Sequence, residues 1–254
     1  MVSENALIIG SRLAIIPIPN IFKGFLKGSC NVLRSDPDRL ASFMDDFLDG
    51  FDNFVGSFRE LTELAEENTR ARKLLAFLGL NATVYPLIVS LASEHLLDDQ
   101  LLRLIETLDL RVYKVRGTNP RADLYRGTIS RIKMEPDPLR VHEGIREFIE
   151  QFMRDAEFRT YLSGSIYGNA AVKYILWELQ KEEHPSFHEW NYALYDDAQV
   201  EHIFPEETRL AFPAYGFSDE GSYLTSIHKL GNLTLLEESI NKRIGNQSPD
   251  GKVE

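Results

Sequence analysis

The sequence predicts a mainly α protein: a multi-helical domain over residues 1–184, followed by a small element of two short strands and a helix within residues 185–254. Three observations predict this. From Leu40 to Leu64 apolar residues return every three or four positions with acids between them, which is the period of an amphipathic helix. Further runs of the same period follow as far as Lys181. Beyond His184-Pro185 that period stops, and short apolar runs separated by Pro, Gly, Asp and Ser replace it. The domain boundary is placed there, with no flexible linker between the parts.

Each element has its own signal. Ala6 to Leu26 is apolar, but Arg12, Pro17, Pro19, Asn20 and Lys23 interrupt it before the ~20 apolar residues of a membrane span are reached. A docking segment or a buried arm is expected instead. Ser35-Asp36-Pro37 supplies an N-cap and a proline suited to the first turn of a helix. The stripe Leu40, Phe43, Met44, Phe47, Leu48, Phe51, Phe54, Val55, Phe58, Leu61 and Leu64 then predicts one long helix, or two with a break near Gly50 or Gly56. Its aromatic side reads as core. Helices are expected over Thr69 to Leu78, stopped by Gly79, over Tyr85 to His95 with Pro86 in the first turn, and over Asp98 to Leu108. Leu110 to Val115 alternates like a short strand, and a helix end fits it as well. After a turn at Gly117-Thr118-Asn119-Pro120, helices over Pro120 to Lys133, Leu139 to Phe158 and Ala170 to Lys181 complete the first domain.

At 254 residues, 43% hydrophobic and 26% charged, the chain is long enough to bury a substantial core. Its one cysteine, Cys30, excludes a disulfide framework and any cysteine-rich zinc site, so a cytoplasmic protein without a membrane partner is expected. A net charge of −11 excludes a protein that coats nucleic acid through charge alone. The charge is uneven. Between Arg111 and Lys133 stand Arg111, Lys114, Arg116, Arg121, Arg126, Arg131 and Lys133 against the single acid Asp123. This is either a phosphate-tracking face, with Arg121 and Arg126 as nucleic-acid contacts, or a solvated face balancing the acidic remainder.

Chemistry concentrates between Glu201 and Asn241. Val200-Glu201-His202-Ile203-Phe204-Pro205 places a carboxylate beside an imidazole on a short apolar strand. Leu230-Gly231-Asn232-Leu233-Thr234-Leu235-Leu236 then puts an Asn at a turn into a second strand, and Asn241 follows on a helix behind it. This spacing can hold one divalent metal next to a general base. Imidazole, with an unperturbed pKa near about 6.5, is the side chain suited to accept a proton near neutrality. Glu201 offers the hard oxygen that magnesium or manganese prefers, and Asn241 a carbonyl oxygen. Neighbours on a strand face opposite ways, so Glu201 and His202 can serve different partners. Asn232 can both donate and accept, and so can pin the backbone around His202. Read singly, each has a plain structural alternative: a satisfied strand histidine, or a common turn asparagine. Lys242 and Arg243 are candidate phosphate contacts. His228 is a loop histidine close enough in sequence to approach a phosphate, Asn246 a helix-capping residue, and His184 with His188 fits no common helix face once Pro185 intervenes.

These residues, Glu201 to Pro205, Leu230 to Leu236 and Asn241, resemble the signature of the HNH, or His-Me finger, nuclease domain at the C-terminal end of GmrSD-type modification-dependent restriction proteins. The resemblance implies His202 as general base, Asn232 as the residue positioning it, and Glu201 and Asn241 as ligands of Mg2+ or Mn2+. It also implies a ββα-metal element: a strand around Val200 to Phe204, a second near Leu233 to Leu236, and a helix from Glu237. The implied activity is hydrolysis of DNA phosphodiester bonds in defence against foreign or modified DNA. A looser likeness covers Leu102 to Lys133. The nucleotide-sensing half of such proteins, with its Gln-Arg motif, has no counterpart here, so no NTP dependence is expected of this chain alone, and a nucleotide-sensing chain or domain is the partner implied beside DNA. The alternative reading is a non-catalytic, partner-binding subunit with a degenerate nuclease fold, favoured by Asn rather than His at position 241.

Overall fold

The computed structural model describes residues 20–130, 134, 136–183, 191–206, 211–245, 247 and 250–251, with the side chains of 20–26, 125, 126, 182 and 183 outside that description. The expected arm before Asn20, Arg131, Lys133, His184, His188 and Asn246 lie outside the described residues, as does the expected boundary at His184-Pro185. The contacts divide the chain into two compact units, one of residues 1–105 and 121–144, the other of 106–120 and 145–254. Among the described residues no helix is long and apolar enough to cross a membrane.

The first unit is helical. After α1 (Asn20–Leu33), helix α2 (Pro37–Glu67) runs unbroken for 31 residues, past both Gly50 and Gly56. Asp36 caps it by accepting from Arg39 N–H at 3.1 Å, with Pro37 in the first turn. Asn68 ends it and caps the next helix, α3 (Thr69–Arg72), which widens into a π-helical turn over Lys73–Leu78 and stops at left-handed Gly79. Helices α4 (Tyr85–Ser93) and α5 (Asp99–Leu108) follow, and α6 (Arg121–Leu124) continues as a second π turn over Tyr125–Ile129. The core gathers Leu61, Leu74, Leu75, Leu87, Ile88 and Leu91, all fully buried. The aromatic stripe of α2 is core only in part. Its C-terminal half buries Leu61 and Ala65 and sets Phe58 6.2 Å from Tyr85, because α3 and α4 pack there. Leu48, Phe51, Phe54 and Val55, earlier in the helix, stay exposed.

The second unit holds the short strands. Asp109–Val115 forms a π-helical turn rather than a strand: Asp109, Val112 and Tyr113 are buried at spacings of three and one, a helical side. The segment expected as one helix from Leu139 to Phe158 is two, α7 (Pro138–Phe152) and α8 (Asp155–Ser163). They break at Arg154, whose N–H donates to the Glu157 carboxylate at 3.0 Å. Helices α9 (Val172–Glu183) and α10 (Tyr192–Asp197) lead into β1 (Ala198–His202). Helix α11 (Glu220–Leu224), β2 (Leu233–Glu237) and α12 (Glu238–Ile244) complete the unit.

The two strands pair antiparallel, Ala198 opposite Glu237 and His202 opposite Leu233. Directly opposed residues share a face. One face therefore carries Ala198, His202, Leu233 and Leu235, all buried, and the other Gln199, Glu201, Thr234 and Leu236. Both α9 and α12 pack against both strands. The chain is thus mainly α, with a small ββα element near its C-terminal end.

Candidate active site

β1 ends two residues before its expected limit, and the reason builds the site. Past His202 the backbone leaves the ladder for Asn232: Ile203 N–H donates to the Asn232 carbonyl at 2.8 Å, and Phe204 N–H to its side-chain Oδ1 at 2.8 Å. The Asn232 amide donates in turn to the Phe204 carbonyl at 3.0 Å and to the Ile227 carbonyl at 2.7 Å. One buried side chain thus ties the loop after β1 to the loop before β2. The knot is strong because the Ile227 carbonyl it satisfies is buried and the two Phe204 groups are partly so, and buried polar groups left unpaired are costly.

An aromatic cluster props the same loop. Tyr223, fully buried on α11, donates its hydroxyl to the Pro205 carbonyl. Its ring lies 5.2 Å from Phe217 and 5.7 Å from Phe212, and the Phe204 ring meets Phe217 edge-on at 5.5 Å. Asp219 caps α11 by accepting from Ser222 N–H at 2.8 Å. That bond, with the Ser218 hydroxyl, holds the Asp219 carboxyl below its ordinary value.

Held this way, the two loops bring His202 and His228 together. His202 Nε2 lies 3.1 Å from His228 Nδ1, and His228 Nε2 lies 3.5 Å from Glu206. With the His228 proton on Nε2, toward the carboxylate, its Nδ1 accepts from His202 Nε2–H. A third segment closes over the pair: Ile166 N–H donates to the His228 carbonyl at 2.9 Å, which lays the Tyr167 ring 4.2 Å from His202 and 5.5 Å from His228. His202 is only 5% exposed beneath it.

The other expected residues lie as follows. Glu201, half-buried, is on the opposite face of β1 from His202, and Asn241, half-buried, is on α12, which packs on both strands. Neither belongs to the His202, Glu206 and His228 group, the one set of His, Cys, Asp and Glu donors that gathers closely enough for a metal among the described residues. Lys242 pairs with Glu238 at 2.6 Å one turn earlier, and Arg243 is exposed beside it. The basic stretch is divided: Arg121 and Arg126 belong to the first unit, Arg111, Lys114 and Arg116 to the second. Arg111 is engaged by Asp155 and stacks 4.7 Å over Phe158, and Lys114 sits 3.8 Å from buried Asp109. The Arg126 side chain lies outside the described residues.

Sequence reasoning did not single out Glu206 or Tyr167. An acid directly after Pro205, where the chain must turn, was a weak signal for Glu206. Tyr167 had none, since the tether from Ile166 to His228 spans 62 positions that no local pattern connects.

No curated protein and no solved structure was found to match the chain. A family model does match, and its extent falls wholly within the second unit, around the ββα element and the knot at Asn232. Residues 148–254 match the family described as GmrSD restriction endonucleases, C-terminal domain, so this part of the chain is similar to the C-terminal domain of those nucleases.

Proposed function

We propose that the chain is a metal-dependent DNA endonuclease of the HNH, or His-Me finger, kind, acting in the cytoplasm against foreign or modified DNA, with residues 185–254 as its catalytic element. The observation that supports this best is His202 at the end of β1, on a loop clamped by Asn232, with α12 packed behind the hairpin. Hydrolysis of a phosphodiester needs a water stripped of a proton, a cation near the leaving oxygen, and fixed geometry between them. His202 takes the proton. Asn232 fixes the backbone that follows His202, and His228 meets the imidazole at Nε2. Tyr167 covers His202, so substrate approaches past that ring or displaces it.

Glu201 and Asn241 are the proposed ligands of the divalent ion. Their donors, a carboxylate and an amide carbonyl, are hard oxygens that fit magnesium or manganese. Glu201 stands on the opposite face of β1 from His202, and Asn241 on the helix that packs on both strands. When bound, the ion supplies charge stabilisation at the departing 3′ oxygen. Lys242 and Arg243 are the proposed contacts to flanking phosphates, and Arg121 and Arg126 are further proposed DNA contacts. A nucleotide-sensing chain or domain is the proposed partner. A non-catalytic, partner-binding subunit is the second reading, supported by Asn at position 241 and by the exposed apolar side of α2.

Cleavage of plasmid DNA, plain and carrying modified cytosines, tests the proposal. Wild type should nick with magnesium or manganese and stop with chelator. His202→Ala should lose at least about a hundredfold in rate, as expected for a general base. Equal cutting by His202→Ala would remove His202 from the mechanism, and no cutting on any substrate would favour the binding subunit.

A further inference from the structure

We propose that His202, His228 and Glu206 form a binding site for a transition-metal ion of the zinc class, separate from the magnesium or manganese ligands above, and that filling it switches the nuclease off. One donor atom from each residue lies within 4.8 Å of the other two. His202 Nε2 and His228 Nδ1 are 3.1 Å apart. Two nitrogens bound to one tetrahedral ion at about 2.0–2.1 Å each stand about 3.3 Å apart, so the imidazoles already hold the spacing of neighbouring ligands. Two imidazoles and a carboxylate select zinc, nickel or copper over magnesium, which takes hard oxygens. Three protein donors also leave a fourth position open to water.

The two histidines need little rearrangement. They sit on the two loops that Asn232 ties together, with Tyr167 packed on both rings. Glu206 is exposed at the rim, and its carboxylate has the freedom to swing from His228 Nε2 to the ion. A neutral imidazole carries one proton. With His202 Nε2 on the ion, that proton occupies Nδ1, so neither nitrogen is free to take one from water. Zinc therefore inhibits without touching Glu201 or Asn241. The inhibitory consequence rests on the proposed role of His202, whereas the binding site does not.

Zinc chloride titrated into the metal-free full chain, followed by calorimetry, reads the binding directly. Wild type should take up one zinc per chain, with magnesium in excess failing to displace it. His228→Ala should weaken zinc by more than about a hundredfold and Glu206→Gln by at least about tenfold, as losing a donor exceeds losing a mere outer partner. Glu201→Ala should leave zinc affinity within about threefold, since it is no member of this set. Circular dichroism confirms that each variant is folded, and Glu206→Gln, at an exposed position, keeps the test open should His228→Ala unfold. X-ray absorption of the zinc complex should show two imidazole nitrogens in its first shell. No zinc uptake, or uptake untouched by both His228→Ala and Glu206→Gln, overturns the site. In the nicking assay with magnesium, zinc should slow wild type at least about tenfold, and Glu206→Gln should need correspondingly more zinc for the same ratio. Zinc bound through these residues by a protein that cuts no DNA upholds the site and sinks the nuclease reading. Cutting undiminished by bound zinc sinks the switch.

Discussion

Asn232 makes three side-chain hydrogen bonds to the backbone while nearly buried, and they join the loop after β1 to the loop before β2. Asn232→Ala leaves the Phe204 N–H and carbonyl and the Ile227 carbonyl without that partner. Since each orphaned buried group costs about 1–3 kcal/mol, a loss of about 3 kcal/mol is expected in urea unfolding. Asn232→Asp should lose a comparable amount, because it keeps the acceptor for Phe204 N–H but turns a carboxylate toward two carbonyl oxygens. In the nicking assay both should lower kcat more than they raise KM, since what they disturb is the placement of the base. A stability change below about 0.5 kcal/mol, the size of an ordinary surface substitution, would show that the knot is not what holds the loops. The role of Asn232 at the backbone was legible because an amide beside Gly231, entering an apolar strand, has few other tasks. Its partners were not. Which carbonyls it reaches depends on how the loop from Ile203 returns to Ile227, and for the same reason His228 read only as a loop histidine near a phosphate when it faces His202 Nε2.

The elements that local chemistry dictates came through best. Asp36-Pro37 starts α2, Gly79 stops the π turn after α3, and β2 and α12 begin within a residue of their expected places. Departures occur where tertiary contacts override local pattern. Leu110 to Val115 alternates like a strand, yet Asp109, Val112 and Tyr113 are buried together only on a helical path. β1 ends early because Asn232 captures the next two N–H groups. Gly50 illustrates the opposite case, a local breaker that fails to break. It lies in the exposed first half of α2, and a Cβ added there meets nothing within 4 Å. The helix holds together through the packing of its second half, so Gly50 costs backbone entropy without need. Gly50→Ala should therefore stabilise the chain by about 0.5–1 kcal/mol, read as a higher urea midpoint at unchanged slope. A lower midpoint would mean that α2 bends or is contacted at that position in solution.

At the scale of the molecule, charge works against the proposed substrate. The chain carries 39 acids against 28 lysines and arginines, a net of −11, and its basic residues are partly committed within the protein. Arg111 is held by Asp155, Lys114 by Asp109 and Lys242 by Glu238. Each lysine or arginine that does reach a phosphate releases roughly one counterion, so the salt dependence of binding counts such contacts. Weak affinity is expected for unmodified duplex DNA, with a Kd of about 1 μM or weaker near 0.15 M salt, in the range of non-specific binding. Fluorescence anisotropy across a salt series measures both the affinity and the slope. The paired variant Lys242→Gln with Arg243→Gln should lower the slope by about one to two, with Arg243 accounting for more, because Glu238 already neutralises Lys242. Arg121→Gln with Arg126→Gln probes the first unit separately, outside the residues that match the nuclease family. A fall in slope for both pairs places DNA along both units, and a fall for the first pair alone confines it to the ββα element. Nanomolar binding at that salt would contradict the argument from charge. Affinity would then have to come from contacts with bases, and substrate selection would lie in this chain itself.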